Sequence, residues 1–537
     1  MDTDGSLPKE AQIGPDPREM QDRAFASFCA VVPEYDARLT EGVGESRTSP
    51  LTGLELPGVT QATTDDVARA FAKSRNAQRL WKKLPLSERA KILRKFESLV
   101  WRYQDQILDV IQWETGKPRK HAFEELLDAS QNAGYVTAKG PRILRTKKSS
   151  GAVPFLSTAT VAHQPLGVVG VVSPWNYPFT LAFSDACAAL LAGNTVVLKP
   201  ASQTALTGIL VAALLGRSGL PQNVFQLVLG PGRTVGEEVA RRADYLMFTG
   251  STKVGRSLAE LCGQRLIGFS GELGGKNPSI VFPDADLEKW ASTARRECFS
   301  SSGQLCVSTE RIYIHDDIWD RTVALLIESI RSIKPGRDMS WTTDYGPLVD
   351  AAQFLKVSEQ VQDAVAKGAT VLTGGVPLPS LGPTGYAPTV LTDVTESMEI
   401  YAEETFGAVV SLYRWRDIDE VIDEANDSSY GLNGSIWCGD RSVAMKVAGL
   451  LEVGSVSINE AYGATWGAMT APIGGFKESG VGRRHGPEGI LKYTETQTVS
   501  TGPRSLDPWF GMTAEEWAKA EEILIRARNK AWRWNSR

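Results

Sequence analysis

A chain of 537 residues, 42% hydrophobic and 23% charged, is long enough for two or three domains with buried cores and is far from the composition of disordered segments. A formal net charge of -5, with no basic stretch before the last residues, argues against a nucleic-acid surface. Six cysteines, Cys29, Cys187, Cys262, Cys298, Cys306 and Cys438, fall without C-x-x-C pairs or metal-ligand spacing, which excludes a zinc or disulfide framework and fits a reducing, cytoplasmic setting.

The opening MDTDGSLPKEAQIGPDPREM lacks the basic and apolar regions of a secretory signal and the arginines of a transit peptide. Residues 1–50 read as an N-terminal extension with one short helix around residues 20–32, the folded body starting near Leu51. Over residues 64–115 apolar residues recur at helical spacing, broken by Pro85 and closed by Gly116, which predicts consecutive surface helices. GAVPFLSTATVAHQPLGVVGVVSP is strand-like, and an apolar helix and the strand NTVVLKP follow. ALTGILVAALLGRSG, FQLVLG, TVGEEVARR, YLMFTG and TKVGRSLAELCG then alternate as helix and strand, the pattern of a parallel sheet covered on both faces and of a nucleotide-binding architecture. After SGELGGKNPSIVFPDADL the rhythm restarts with ERIYIHD, a helix through Ile330, ATVLTGG, TVLTDV, AVVSLYRW, a helix over 418–426 and SVSINE, a second α/β domain. The tail opens with Thr513 and Glu516 spaced as a capping box and continues as a charged amphipathic helix. LAFSDACAALLAGNTVVL is interrupted by Asp185, Gly193 and Asn194, and ALTGILVAALLG is too short to span a bilayer, so no transmembrane segment is expected.

Taken alone, Cys306 in SSGQLCVSTER is either a packed thiol or a nucleophile. Five further blocks accompany it: SPWNYPF at 173–179, FTGSTKVG at 248–255, GELGGKNP at 271–278, EETFGAVV at 403–410 and PIGGFKESGVGRRHGPEGI at 472–490. Together, in this order and spacing from about Leu51 to Thr501, they strongly resemble the aldehyde dehydrogenase superfamily. The longer runs look most like its succinate-semialdehyde dehydrogenase (NADP+) subgroup.

The resemblance implies an α/β fold with a parallel-sheet cofactor-binding domain over 51–150 and 167–274 and a catalytic domain over 275–485. A β oligomerisation arm over 151–166 and 488–502, and a tail over 503–537, complete it. It also implies a homodimer or homotetramer, because an arm of this kind hides exposed strand edges between subunits. Trp517, Leu524 and Trp532, with Arg526, Arg528, Lys530 and Arg533, suit the tail helix to a neighbouring subunit or a membrane surface.

An aldehyde releases hydride only after its carbonyl has become a tetrahedral alkoxide, which a thiolate can form. By resemblance Cys306 is the nucleophile and the side chain of Asn176 is an oxyanion donor, joined by the backbone N–H of Cys306. The thioester left behind needs an activated water. With only four histidines in the chain and none assigned to the site, a carboxylate is the natural base, and Glu272 holds the family's position, with Gly274 and Gly275 giving the backbone room beside it. Taken alone, Glu272 would read as a solvated surface acid.

For the cofactor, the resemblance assigns Trp175, Lys199, Ser202, Gly250, Ser251, Gly255, Glu404 and Phe406, with Glu403 structural. A salt bridge is the alternative for Lys199. Many relatives that prefer NAD carry an acid three residues after this lysine, where Ser202 stands here, so NADP or dual use is favoured.

The substrate is a small aldehyde, succinate semialdehyde by resemblance. The two arginines expected to clamp its carboxylate are replaced by Ser184 and Ser300. An aromatic or medium-chain aliphatic aldehyde is therefore the alternative, with Tyr177, Phe179, Phe299, Trp466 and Phe476 as candidate tunnel residues. An acylating, coenzyme A-dependent relative and a non-catalytic relative are the remaining readings. The presence of Glu272, Cys306 and Asn176 argues against both.

Overall fold

Val168–Val172 and Thr195–Lys199 are short valine-rich runs buried at every residue, as strands covered on both faces must be. They pair in parallel at the centre of a six-stranded sheet, continued on one side by Phe225–Leu227 and on the other by Tyr245–Thr249 and Gly268–Glu272. The two-residue strand Gly480–Val481 closes that second edge, antiparallel to the strand ending in Glu272. The computed structural model describes residues 16–33, 46–151, 157–502 and 511–535.

A seven-stranded sheet forms the second α/β unit, ordered 370–373, 389–392, 409–415, 309–315, 277–281, 433–437, 455–458, parallel except for its first pair. Its interior strand Asn277–Val281, next to the central one, contains Pro278, which has no N–H for the ladder, and the register with 309–315 shifts between Asn277 and Pro278. A third, antiparallel sheet joins Lys147–Ser150, Thr158–Pro165 and Thr494–Thr501. The anticipated segments on residues 1–15, 34–45, 152–156, 503–510 and 536–537 lie outside the described residues.

Three expectations change. The folded body begins well before Leu51: helix Pro17–Val31 buries Met20, Ala24, Phe28 and Val31 in the main core, and its Arg23 reaches Asp109 at 2.8 Å. The last of the three helices over 64–115, Gln104–Thr115, is an interior helix, with every residue from Ile107 to Thr115 buried. Its acids tolerate this because Asp109 accepts Arg119 at 2.6 Å and Glu114 accepts Arg47 at 3.1 Å and the backbone N–H of Leu206 and Thr207. Helix Arg119–Ile143 has no counterpart in the sequence reading; Pro118 leads into it and Pro141 sits near its end.

Among the described residues no helix is long and apolar enough to cross a membrane. The tail forms helix Ala514–Asn535 behind the predicted box, in which Glu516 accepts the Thr513 N–H at 2.7 Å. Ile523, Leu524, Ile525 and Trp532 are exposed on it.

Candidate active site

Cys306 lies in the loop between helix Leu287–Phe299 and strand Thr309–His315, which leads into the second sheet. Its approach is a left-handed turn, with φ of 50° at Ser301, 60° at Ser302 and 75° at Gly303. The small residues are there for the backbone: all three are buried, and a Cβ on Gly303 would sit 2.0 Å from the Gly407 carbonyl oxygen. His121 accepts the Ser301 N–H at 3.0 Å, and burial lowers its pKa to about 3, so the ring is a neutral acceptor.

Beyond the turn, Asn277 fixes the loop from the bulged strand. Its side-chain amide donates to the carbonyls of Cys306 and Ser308, both at 2.7 Å. A Cβ on Gly275 would meet the Cys306 carbonyl at 2.8 Å, and one on Gly274 would meet Glu404 at 2.7 Å. The glycine pair therefore makes room for Cys306 and Glu404; the sequence reading had set it beside Glu272.

Glu272 ends its strand almost fully buried, 8% exposed. Burial raises its carboxyl pKa to about 7, against the opposing pull of Arg484. The Cys306 thiol is pushed up to about 12, by burial first and then by the negative charges of Glu404 and Glu272. These three groups thus share one electrostatic neighbourhood.

Asn176 is buried just before helix Pro178–Ala192 and donates to the Gln304 carbonyl at 3.1 Å, two residues ahead of the cysteine. Lys117 donates to the Asn176 carbonyl and to Glu125. An amide has two N–H donors, so one remains for an oxyanion.

Trp175 and Phe406 meet edge to face with centroids 5.5 Å apart. Phe406 sits at φ 53°, held there by Glu310, which accepts the N–H of Thr405 and Phe406 at 2.9 Å each and Lys276 at 2.7 Å. Glu404 accepts the Gly275 N–H at 2.8 Å, and Lys276 donates to the main-chain carbonyl of Glu403, whose side chain is exposed. Sequence reasoning missed Asn277, Lys276 and Glu310, although GGKNP and STER lie inside the quoted runs.

Lys199, buried at the end of its strand, lines a cavity of about 860 Å³ with Ser202, Pro231, Gly232 and Arg233. Ser202 donates to the Gly230 carbonyl at 3.3 Å. Arg233, which sequence reading passed over, is an exposed cation on that wall. Gly250 and Ser251 join strand Tyr245–Thr249 to helix Thr252–Gln264, and a Cβ on Gly255 would lie 2.5 Å from Leu273, so this glycine sets helix-to-sheet packing. A nicotinamide dinucleotide suits this set: basic Lys199 and Arg233 beside a roomy cavity, and an aromatic pair and a carboxylate nearer Cys306.

The candidate tunnel aromatics divide. Tyr177 belongs to an apolar cluster with Leu181, Leu305 and Tyr462, against which Cys306 and Trp466 pack. Phe179 and Phe299 instead lie in the two main cores, Phe179 stacked on Phe96 at 6.2 Å, and Phe476 is 43% exposed. Phe179 and Phe299 are therefore core packing residues. Ser184 sits among Thr180 and Asp128, donating to the latter at 3.4 Å.

The aldehyde dehydrogenase family model matches residues 41–499. The chain is 48% identical over 500 residues, 93% of its length and 96% of the relative's, to a Mycolicibacterium smegmatis protein named "Putative succinate-semialdehyde dehydrogenase (NADP(+))". It is 35% identical over 457 residues, 85% of its length and 94% of the relative's, to the succinate-semialdehyde dehydrogenase (NADP(+)) of Escherichia coli K12. Among solved structures, betaine aldehyde dehydrogenase of Staphylococcus aureus in complex with NAD+ is 30% identical, covers 87% of this chain and 94% of its own, and superposes with a TM-score of 0.81.

Proposed function

The chain belongs to the aldehyde dehydrogenase family, and we propose that it converts an aldehyde, NADP+ and water into the carboxylic acid, NADPH and a proton through a thioester on Cys306. The observation that carries this reading is the shared neighbourhood of a partly buried thiol and a buried carboxylate whose pKa is raised to about 7.

Cys306 Sγ bonds to the aldehyde carbon as its S–H proton passes to ionised Glu272. The carbonyl oxygen, now an alkoxide, is held by the free N–H of Asn176 and the backbone N–H of Cys306. A bound nicotinamide supplies the hydride acceptor. Loss of hydride restores the C=O as a thioester, and Glu272 gives its proton to solvent. Ionised again, it takes a proton from water as the hydroxide adds to the thioester. The C–S bond breaks, the acid leaves, and the departing sulfur takes the proton from Glu272, which restores the thiol and the ionised base.

NADP use is supported by the names of the relatives and by Lys199 and Arg233 beside Ser202, with no acid at that position to repel a 2'-phosphate. Trp175, Gly250, Ser251, Gly255, Glu404 and Phe406 complete the cofactor site on this reading. It assigns 51–150 and 167–274 to cofactor binding and 275–485 to catalysis. Thr494–Thr501, exposed along nearly its whole length, becomes part of a pairing arm between subunits.

Succinate semialdehyde is the substrate the relatives' names support. The hydroxyls at Ser184 and Ser300, where arginines were expected, favour an uncharged aldehyde as the second reading. Comparing kcat/KM for succinate semialdehyde, butanal and benzaldehyde with NADP+ tests both; no NADPH from any of them would overturn the enzyme assignment.

A further inference from the structure

Tyr177 and Tyr462 belong to the apolar cluster against which Cys306 packs, and their hydroxyls converge on one carboxylate. Tyr177 donates to Glu124 at 3.2 Å, and Tyr462 donates to it at 3.2 and 3.4 Å. Arg296 closes the group, 3.3 Å from Glu124 with its guanidinium 5.2 Å from the centre of the Tyr462 ring. Four charged or phenolic groups thus gather beside the cluster against which the thiol packs.

Ser300 is the second, independent observation. Its hydroxyl is buried, 1% exposed, and neighbours the Tyr462 phenol as a hydrogen-bonding group, at a geometry short of a full hydrogen bond. It can therefore turn to an entering acceptor. Arg296 stands four residues before Ser300, in the last turn of helix Leu287–Phe299, and both neighbour Tyr462.

We propose that Arg296, Ser300 and the Tyr462 hydroxyl form the receptor for a carboxylate at the far end of the substrate, with Glu124 as the counter-ion that the substrate displaces. The proposal deepens the aldehyde-oxidising reading and rests on it. Both members of the ion pair can exchange partners: the Arg296 side chain is 46% exposed and that of Glu124 22%. They border a cavity of about 250 Å³ that also carries Lys120, Arg295 and Asp344, three cations against two acids. This balance favours an entering anion. A guanidinium also matches a carboxylate's two oxygens better than a hydroxyl alone can.

The experiment is the ratio of kcat/KM for succinate semialdehyde to that for butanal, measured with NADP+ in the full-length enzyme. Wild type prefers succinate semialdehyde, Arg296→Leu lowers the ratio about tenfold or more, Arg296→Lys recovers part of it, and Glu124→Gln raises it. An unchanged ratio in Arg296→Leu, or a wild type that prefers butanal, overturns the receptor. If Arg296→Leu does not fold, Glu124→Gln decides: a ratio that rises supports the receptor, and one that holds or falls overturns it. A wild type that oxidises neither aldehyde defeats the underlying reading instead.

Discussion

The backbone N–H of Gly250 donates to the main-chain carbonyl of Glu272 at 3.1 Å. The turn assigned to the cofactor is thereby hydrogen-bonded to the residue that carries the proposed base, and Gly255 packs its helix on the next residue, Leu273. The turn and the strand end that carries Glu272 are thus joined through the backbone, so a change that disturbs the turn is expected to reach the proposed base.

Hydrolysis of the thioester should follow the ionisation of Glu272. Burial raises its pKa to about 7, so at lower pH the carboxyl holds its proton and cannot take one from water. The hydrolytic rate is expected to rise with pH through a midpoint near that value and then level off. Glu272→Gln should lower kcat about 100-fold or more and abolish the midpoint. Steady-state pH profiles of both proteins check this.

The thiol prediction has the opposite sign for its neighbours. Glu404 and Glu272 are negative charges that favour the protonated thiol, so removing one lowers the Cys306 pKa. Glu404→Gln should speed alkylation of Cys306 by iodoacetamide several-fold at pH 8, read by peptide mass. A rate equal to wild type would mean that the carboxylate does not act on the sulfur.

Ser202→Glu should swing cofactor choice toward NAD. A carboxylate beside Lys199 and Arg233 repels a 2'-phosphate and accepts a ribose hydroxyl, so the NADP to NAD ratio of kcat/KM should fall about tenfold or more. Initial rates with the two cofactors give the answer directly.

Gly303→Ala tests the turn that carries Cys306. At φ 75°, with a Cβ forced to 2.0 Å from the Gly407 carbonyl oxygen, the substitution should cost at least about 1–3 kcal/mol. Thermal melting should report a lower Tm, with activity falling at the same time.

How much of this was legible in the sequence follows from range. The buried strands 168–172, 195–199 and 245–249 announce themselves by composition, and the Thr513–Glu516 cap by spacing. Helix Arg119–Ile143, which carries Glu124, contains Gly134, Gly140 and Pro141 and has no capping side chain, so its local signal is weak and packing decides it. The burial of Gln104–Thr115 depends on Arg47 and Arg119 reaching its acids from outside the helix. The proposed carboxylate site uses Arg296 where an arginine was expected at 300, and the motif spacing alone does not point to it. Phe179 and Phe299 show the converse: an aromatic beside a motif was packing after all.

The central claim is a thioester on Cys306 that Glu272 clears. Glu272→Gln mixed with aldehyde and NADP+ should release no more than about one NADPH per subunit, more slowly than the wild-type first turnover because Glu272 also takes the thiol proton, and gain the mass of the acyl group, mapped to the peptide carrying Cys306 and absent from Cys306→Ala. Continued turnover of Glu272→Gln at the wild-type rate with no adduct, or an adduct that survives in Cys306→Ala, would contradict it.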